Sequence, residues 1–205
     1  MPESPLRILL VSASQMEMLK SGQTTVNSLV AGVGMVNTTY ALTRQLMNEE
    51  YDLVVNIGIA GSFHSKFSIG SVVQVGTDRL VELGVEDNDR FVPADEMNLI
   101  PKQEVHFESS NRVVELPIAN GITVNRVHGS ADSIQRIRDQ FNPDIESMEG
   151  AAAAYVCEQF NVPWVQIRAI SNMVEPRNRE AWNVPLAIKN LHAEVLNYLK
   201  SQYEK

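Results

Sequence analysis

This chain of 205 residues has few of the residues that thiol or metal chemistry requires. It contains one cysteine, so no disulfide can form within it, and a lone cysteine is ordinary in a reducing compartment. That residue, Cys157, stands among alanines in a helical pattern, which favours a small core residue over a nucleophile. The histidines at positions 64, 106, 128 and 192 are scattered without the spacing of metal ligands. We therefore predict no metal site and no cofactor.

Long apolar runs and clusters of positive charge are also missing. The apolar run Leu6–Ala13 is too short for a signal sequence or a membrane span, which needs roughly 18 or more apolar residues. The net charge of -8, without a Lys/Arg cluster, disfavours binding to nucleic acid or an anionic membrane. Neither a Walker loop nor a Gly-x-Ser-x-Gly elbow is present. These observations favour a cytoplasmic protein that acts on a small molecule, with one domain over residues 1–205.

Short β-branched runs alternate with helical patterns along the chain, which predicts an α/β sheet covered on both faces. The predicted strands are Arg7–Ala13, Thr25–Ala31, Leu53–Gly58, Ser71–Gly76, Ile122–His128 and Val165–Ile170. Helices are predicted over Val36–Glu49, Met148–Phe160 and Pro185 to about Gln202. The segment Asp89–Pro117 fits neither period, and we expect either an excursion that covers a site or a hairpin with short helices.

Two glycine-containing segments, Ala31–Asn37 and Asn56–Ser62, are predicted to form tight turns after strands. The glycines are explained either by positive φ and close packing, or by backbone that approaches a ligand at the carboxyl ends of parallel strands. Neither segment completes a dinucleotide fingerprint, because Asn37 stands where the third glycine belongs. A nicotinamide-binding protein is therefore the least favoured alternative.

Three polar residues are candidates for glycosidic chemistry. Glu149 begins a helix, where a carboxylate either complements the helix dipole or, with Met148 packed on a sugar face, accepts hydrogen bonds from ribose hydroxyls. Glu146 lies outside the apolar stripe of that helix and receives no role. Asn172 is either a turn residue at a strand end or an amide that binds a purine edge. Glu17 is either a solvated acid or the base that activates water for cleavage of a ribosyl bond.

Three ordered motifs together resemble the nucleoside phosphorylase/nucleosidase superfamily, most closely its bacterial nucleosidase branch. Asn56–Ser62 is similar to the Asn-x-Gly-x-Ala-Gly-Gly motif, Ser147–Ala152 to the Met-Glu-Gly/Ala helix start, and Arg168–Asn172 to Arg-Ala-Ile-Ser-Asp/Asn. The resemblance implies a single-domain, three-layer α/β/α fold with a central mixed, largely parallel sheet. It also implies a homodimer or a larger homo-oligomer.

The same resemblance assigns roles to individual residues. It implies that Glu17 is the general base, that Met148 and Glu149 bind the ribose, and that Asn172 contacts the leaving purine. Phosphorylases of the superfamily hold phosphate with arginines and a Gly-rich segment after the first strand; residues 12–17 here read Ser-Ala-Ser-Gln-Met-Glu, so water is the expected nucleophile. Ile59 stands where a relative has serine, and Ser62 replaces a glycine of the motif. The remaining residues expected in the substrate site are Ile59, Ala60, Gly61, Ser171 and, in place of a stacking aromatic, Ile134.

Within this branch, Glu82–Asp87 and Val174–Trp182 resemble the futalosine hydrolases. The resemblance implies hydrolysis of futalosine to hypoxanthine and dehypoxanthine futalosine. Arg177 and Arg179 are candidates for binding the benzoate on sequence proximity alone, and surface salt bridges would explain these arginines equally well. Asn172 cannot transfer a proton as an aspartic acid does, which suits a 6-oxopurine, although asparagine also pairs with adenine. The alternatives are an adenine-releasing nucleosidase that acts on methylthioadenosine, S-adenosylhomocysteine or aminodeoxyfutalosine, and a catalytically silent nucleoside-binding module.

Overall fold

The fold is built on an eight-stranded mixed sheet, seen in a computed structural model that describes residues 6–88, 90–109, 111–113 and 115–203. The strands are β1 (Ile8–Ser12), β2 (Asn27–Val30), β3 (Leu53–Ser62), β4 (Val72–Leu80), β5 (Gly84–Asp87), β6 (Arg90–Pro93), β7 (His106–Glu108), β8 (Ile118–Thr123), β9 (Ile145–Ser147) and β10 (Trp164–Met173). The helices are α1 (Met35–Asn48), α2 (Ala131–Phe141), α3 (Gly150–Gln159) and α4 (Val184–Tyr203). Short 3₁₀ turns span Lys102–Glu104 and Arg179–Ala181.

The main sheet runs in the order β10-β4-β8-β9-β3-β1-β2, with β7 paired to β4. Because β10 also pairs with β3, the strands β10, β4, β8, β9 and β3 close into a ring. Neighbours β1–β2, β1–β3, β3–β10, β4–β8 and β8–β9 are parallel, whereas β4–β10, β3–β9 and β4–β7 are antiparallel. The expected mixed, largely parallel sheet is therefore confirmed.

Strand β1 shows how the sheet buries both faces. Ile8 and Leu10 pack in the core cluster that contains the buried side of α4, while Leu9 and Val11 pack in the cluster that contains α1 and α3. Alternation along one strand thus supplies two cores, which gives the expected three layers. Cys157 is fully buried in the second cluster, as expected for a core residue, and burial raises the pKa of its thiol. No helix in the described part of the chain is long and apolar enough to cross a membrane.

The structure corrects several sequence predictions. Asn56–Ser62 does not form a tight turn, because β3 runs without interruption to Ser62. The predicted strand Ile122–His128 overlaps only the end of β8. The sequence analysis assigned no helix or strand of its own to α2, β5, β6, β7 or β9. Within Asp89–Pro117, whose first residue lies outside the described part, the chain supplies β6, a 3₁₀ turn and β7. The hairpin alternative therefore describes part of this segment, since β6 pairs with β5.

Candidate active site

A cavity of about 340 Å³ opens near the carboxyl ends of β1, β3 and β10. Open α/β sheets usually place their ligand sites at such strand ends. Eight predicted site residues line the cavity, namely Glu17, Ile59, Ala60, Gly61, Met148, Glu149, Ser171 and Asn172, whereas Ile134, Arg177 and Arg179 do not. Residues far apart in the sequence thus share one enclosed space.

Glu17 is held at the cavity wall by three donors. Its Oε2 accepts hydrogen bonds from the backbone N–H of Ser14 at 2.9 Å and from the Ser14 hydroxyl at 2.8 Å. Its Oε1 accepts the backbone N–H of Ile59 at 3.2 Å. The carboxylate is buried, with only 7% of the residue exposed. Glu17 is therefore an oriented carboxylate rather than a solvated surface acid.

Gly58 explains how this carboxylate approaches the sheet. A Cβ atom at this position would lie 3.0 Å from Glu17 Oε1 and 3.6 Å from Arg168 Nη1. Any larger residue would push the Glu17 carboxylate away, so the glycine is required by close approach and not by a turn.

Glu149 is held in place by the turn at Gly32–Gly34, which is far from it in the sequence. It is the N-cap residue of α3, and its Oε1 accepts the backbone N–H of Gly34 at 2.9 Å. Gly32 and Gly34 have φ of +94° and +88°, the left-handed conformation that favours glycine. Positive φ is thus the explanation for this turn, and Val33 between the two glycines lines the cavity. Burial raises the pKa of Glu149, an effect opposed by the Gly34 hydrogen bond and by the positive charge of Arg168.

Asn172 enters the cavity from a distorted part of β10. The register between β10 and β3 shifts between Ile170 and Asn172, which leaves Ser171 as an extra residue and re-aims the side chains that follow. The Ser171 hydroxyl donates to Asn172 Oδ1 at 2.8 Å, and Asn172 Nδ2 donates to the Met173 carbonyl at 3.1 Å. This network orients the amide, so that the second N–H of Nδ2 is the group left to donate.

Arg168 is a buried cation that does not line the cavity but attracts two of its carboxylates, and the sequence analysis gave it no separate role. Its guanidinium is 1% exposed, and Nη1 donates to the carbonyls of Asn56 and Ile167 while Nη2 bonds the Asn56 side chain. Glu149, Asp78 and Glu17 all attract this charge, which opposes the lowering of the Arg168 pKa by burial. One buried cation therefore serves three carboxylates. An arginine inside a strand that is otherwise apolar was the signal in the sequence.

Asp78, like Arg168, belongs to this charge cluster but does not line the cavity. Burial raises its pKa to about 6, although hydrogen bonds from Gln166 and Thr123 and the charge of Arg168 all lower it. The Gln166 amide donates to Asp78 Oδ2 at 2.9 Å and the Thr123 hydroxyl to Oδ1 at 3.0 Å. Asp78 thus adds a buried negative charge that attracts Arg168.

Other parts of the site differ from expectation. Ile134 is buried beside Phe63 and Ile137 in the core under α2, and it does not line the cavity. The aromatic residue in the cavity wall is Trp182, and the Arg177 guanidinium lies 5.4 Å from the centre of its ring. The sequence analysis also missed the following lining residues: Ala13, Ser14, Met16, Val33, Val127, Glu146, Ser147, Val184 and Ile188. None of the described residues between 90 and 117 lines this cavity.

Comparisons with known proteins agree with this architecture. The family described as the phosphorylase superfamily matches residues 12–200. The chain is 31% identical over 175 residues to a futalosine hydrolase of Streptomyces coelicolor, covering 80% of this chain and 74% of the relative. It is 28% identical over 162 residues to a 5'-methylthioadenosine/S-adenosylhomocysteine nucleosidase of Staphylococcus aureus, covering 70% and 66%. The crystal structure of such a nucleosidase from Neisseria meningitidis, in complex with methylthio-immucillin-A, superimposes with a TM-score of 0.78 at 18% identity over 95% of this chain and 99% of the other, a likeness of fold.

Proposed function

The chain belongs to the phosphorylase superfamily, and on this premise we propose that it hydrolyses the N-glycosidic bond of futalosine. The products are hypoxanthine and dehypoxanthine futalosine, in the alternative route to menaquinone. The observation that carries the proposal is the meeting of Glu17, Glu149 and Asn172 around one cavity. The similarity to a futalosine hydrolase at 31% identity supports the choice of substrate.

The proposed reaction starts with water held by Glu17. Cleavage of a ribosyl bond passes through a cation-like sugar, and a carboxylate base both orients the water and takes its proton. The three donors that fix the Glu17 carboxylate reduce the reorganisation needed to reach that geometry. Glu149 accepts hydrogen bonds from the ribose hydroxyls while Met148 packs against the sugar face.

Asn172 is proposed to stabilise the departing purine. Its free N–H donates to the 6-oxo group or to N7, where negative charge develops as the bond breaks. Hypoxanthine can hold this charge on its 6-oxo group without a strong acid. An adenine-releasing activity on methylthioadenosine, S-adenosylhomocysteine or aminodeoxyfutalosine is the second candidate, favoured by the 28% identical nucleosidase.

The direct test is product analysis by mass spectrometry after incubation of the purified protein with futalosine, aminodeoxyfutalosine and methylthioadenosine. We expect hypoxanthine from futalosine at the highest kcat/KM. Absence of hypoxanthine at high enzyme concentration would refute the proposed substrate, and faster release of adenine would favour the second candidate.

An Asn172→Asp substitution should shift preference toward 6-aminopurines. Unlike the amide, the introduced carboxylic acid can transfer a proton to N7 and accept a hydrogen bond from a 6-amino group. We expect the ratio of kcat/KM for futalosine to that for aminodeoxyfutalosine to fall about 10-fold or more. The exposed Asn48→Asp variant is the control with an unchanged ratio. An unchanged ratio in Asn172→Asp itself would remove Asn172 from base recognition.

A homodimer is proposed on the exposed face of α1. Val36, Tyr40 and Met47 are 80%, 65% and 72% exposed on this helix, and Val33, 56% exposed, joins the same surface to the cavity. Apolar side chains gathered in this way on a helix commonly mark an interface. We expect light scattering to give the mass of a dimer for the wild type and of a monomer for Tyr40→Glu/Met47→Glu. A monomeric wild type would contradict the proposal.

A further inference from the structure

Glu146 is a buried carboxylate in the cavity wall to which neither the sequence analysis nor the proposed reaction gives a role. It lies at the centre of β9 and is 2% exposed. Strand β9 pairs it with Gly61 of β3, which also lines the cavity. A charged group at such a depth needs a partner or a ligand, because burying it unpaired is costly.

His128 holds this carboxylate in place. The His128 backbone N–H donates to Glu146 Oε1 at 3.0 Å, and His128 Nδ1 lies 2.5 Å from Oε2. Two contacts from one residue fix the carboxylate plane, and a carboxylate accepts hydrogen bonds and donates none. Each oxygen retains accepting capacity beyond its bond to His128.

Glu146 and Asn172 are neighbours across Gly61. A Cβ atom placed on Gly61 would lie 3.5 Å from Glu146 Cγ and 3.1 Å from Asn172 Nδ2. A carboxylate that only accepts and an amide N–H that remains free to donate therefore both lie beside Gly61 in the cavity wall. The pair offers an acceptor and a donor to a single flat ligand.

The pair distinguishes the two purine classes when N1 of the base faces Glu146 and the 6-substituent faces Asn172, because the carboxylate then needs an N–H at N1 and the amide N–H needs an acceptor at position 6. A 6-oxopurine presents an N–H at N1 beside an accepting O6, whereas a 6-aminopurine presents an accepting N1 beside a donating amino group. We infer that Glu146 accepts the N1–H of a 6-oxopurine whose O6 faces Asn172, and so determines specificity for hypoxanthine over adenine. The inference rests on the proposed function and names the residue that selects its leaving base. His128 acts as a positioning residue for Glu146.

The test compares futalosine with aminodeoxyfutalosine, which differ in the 6-substituent, on wild type and Glu146→Gln. A neutral amide can donate to N1 of adenine as well as accept from hypoxanthine. We expect the ratio of kcat/KM for futalosine to that for aminodeoxyfutalosine to fall about 100-fold, since sites built to bond a substrate N–H discriminate by about this factor or more. Isothermal titration with free hypoxanthine and adenine should show the same loss of preference without any catalytic step.

Glu82→Gln is the matched control, because Glu82 Oε2 also accepts a backbone N–H, from Asn125 at 2.6 Å, but lies outside this cavity. Its ratio should equal that of the wild type. His128→Asn keeps the backbone donor and should lower the ratio in the same direction by a smaller factor, which a purely structural role would not do. If Glu146→Gln does not fold, the His128→Asn ratio and the binding of free hypoxanthine and adenine to the wild type test the role of Glu146.

The outcomes distinguish a failure of the proposed function from a failure of the role assigned to Glu146. Wild type that releases no base from either nucleoside refutes the proposed function. Wild type that hydrolyses futalosine, together with a folded Glu146→Gln whose ratio changes less than about 3-fold, overturns the role of Glu146 alone. Equal affinity of the wild type for hypoxanthine and adenine overturns that role as well.

Discussion

Replacing Glu17 by glutamine should lower kcat by about 10³-fold and leave purine affinity nearly unchanged. Glutamine can keep its oxygen toward the two Ser14 donors, but its amide then faces the Ile59 N–H and cannot take a proton from water. The loss is therefore confined to the step in which the base acts. Single-turnover release of hypoxanthine measures that step directly.

Binding can be followed separately, because Trp182 lines the cavity while the other tryptophan, Trp164, is buried in the core. Quenching of Trp182 by hypoxanthine should give the same dissociation constant in wild type and Glu17→Gln. Glu50→Gln, an exposed change after α1, controls for loss of one negative charge. A Glu17→Gln enzyme with kcat within about 3-fold of wild type would exclude Glu17 as the base.

Strands buried on both faces were predictable from the sequence, because apolar and β-branched residues dominate their runs even where Asn56, Gln166 and Arg168 interrupt them. Leu53–Gly58 and Val165–Ile170 were found in β3 and β10, and their neighbours completed the expected sheet. The short strand β9 was not predictable, since its three residues lie in the ring of strands and include the charged Glu146. Helix α2 was missed although Ile134 and Ile137 have helical spacing and Ser130 caps its first turn.

Site residues were predicted where a motif fixed both the residue and its position after a strand or at the start of a helix. Glu17, Glu149 and Asn172 are such residues, and the structure groups them in one cavity. Tertiary neighbours were not predictable, because nothing local in the sequence indicates that Gly34 reaches Glu149 or that His128 reaches Glu146. The expectation for Ile134 failed for the same reason, since its side chain packs under α2 while Trp182 reaches the cavity from after β10.

Replacing Arg168 by methionine should destabilise the protein by about 3 to 5 kcal/mol, because removing one partner leaves buried charges uncompensated. Arg168 is the cation shared by Glu149, Asp78 and Glu17. Methionine fills most of the volume of the arginine side chain, so the loss of stability reflects the missing positive charge more than an empty cavity. Urea unfolding measures it, and the exposed Arg136→Met change on α2 should stay within about 0.5 kcal/mol of wild type.

The pH dependence of this loss identifies its cause. The pKa of Asp78 is about 6 in the folded protein, above its ordinary value of 3.8. Between these two pH values the native state binds a proton that the unfolded state does not, so the free energy of unfolding falls as the pH rises through this window. Without Arg168 the pKa rises further, and the window extends to higher pH. The deficit of Arg168→Met should therefore be larger at pH 8 than at pH 5. Adding Asp78→Asn should recover part of the deficit at pH 8, since one unpaired carboxylate is removed. If the effects of Arg168→Met and Asp78→Asn on the free energy of unfolding are additive, or if the effect of Arg168→Met is the same at both pH values, Arg168 stabilises the fold through packing and not through the three carboxylates.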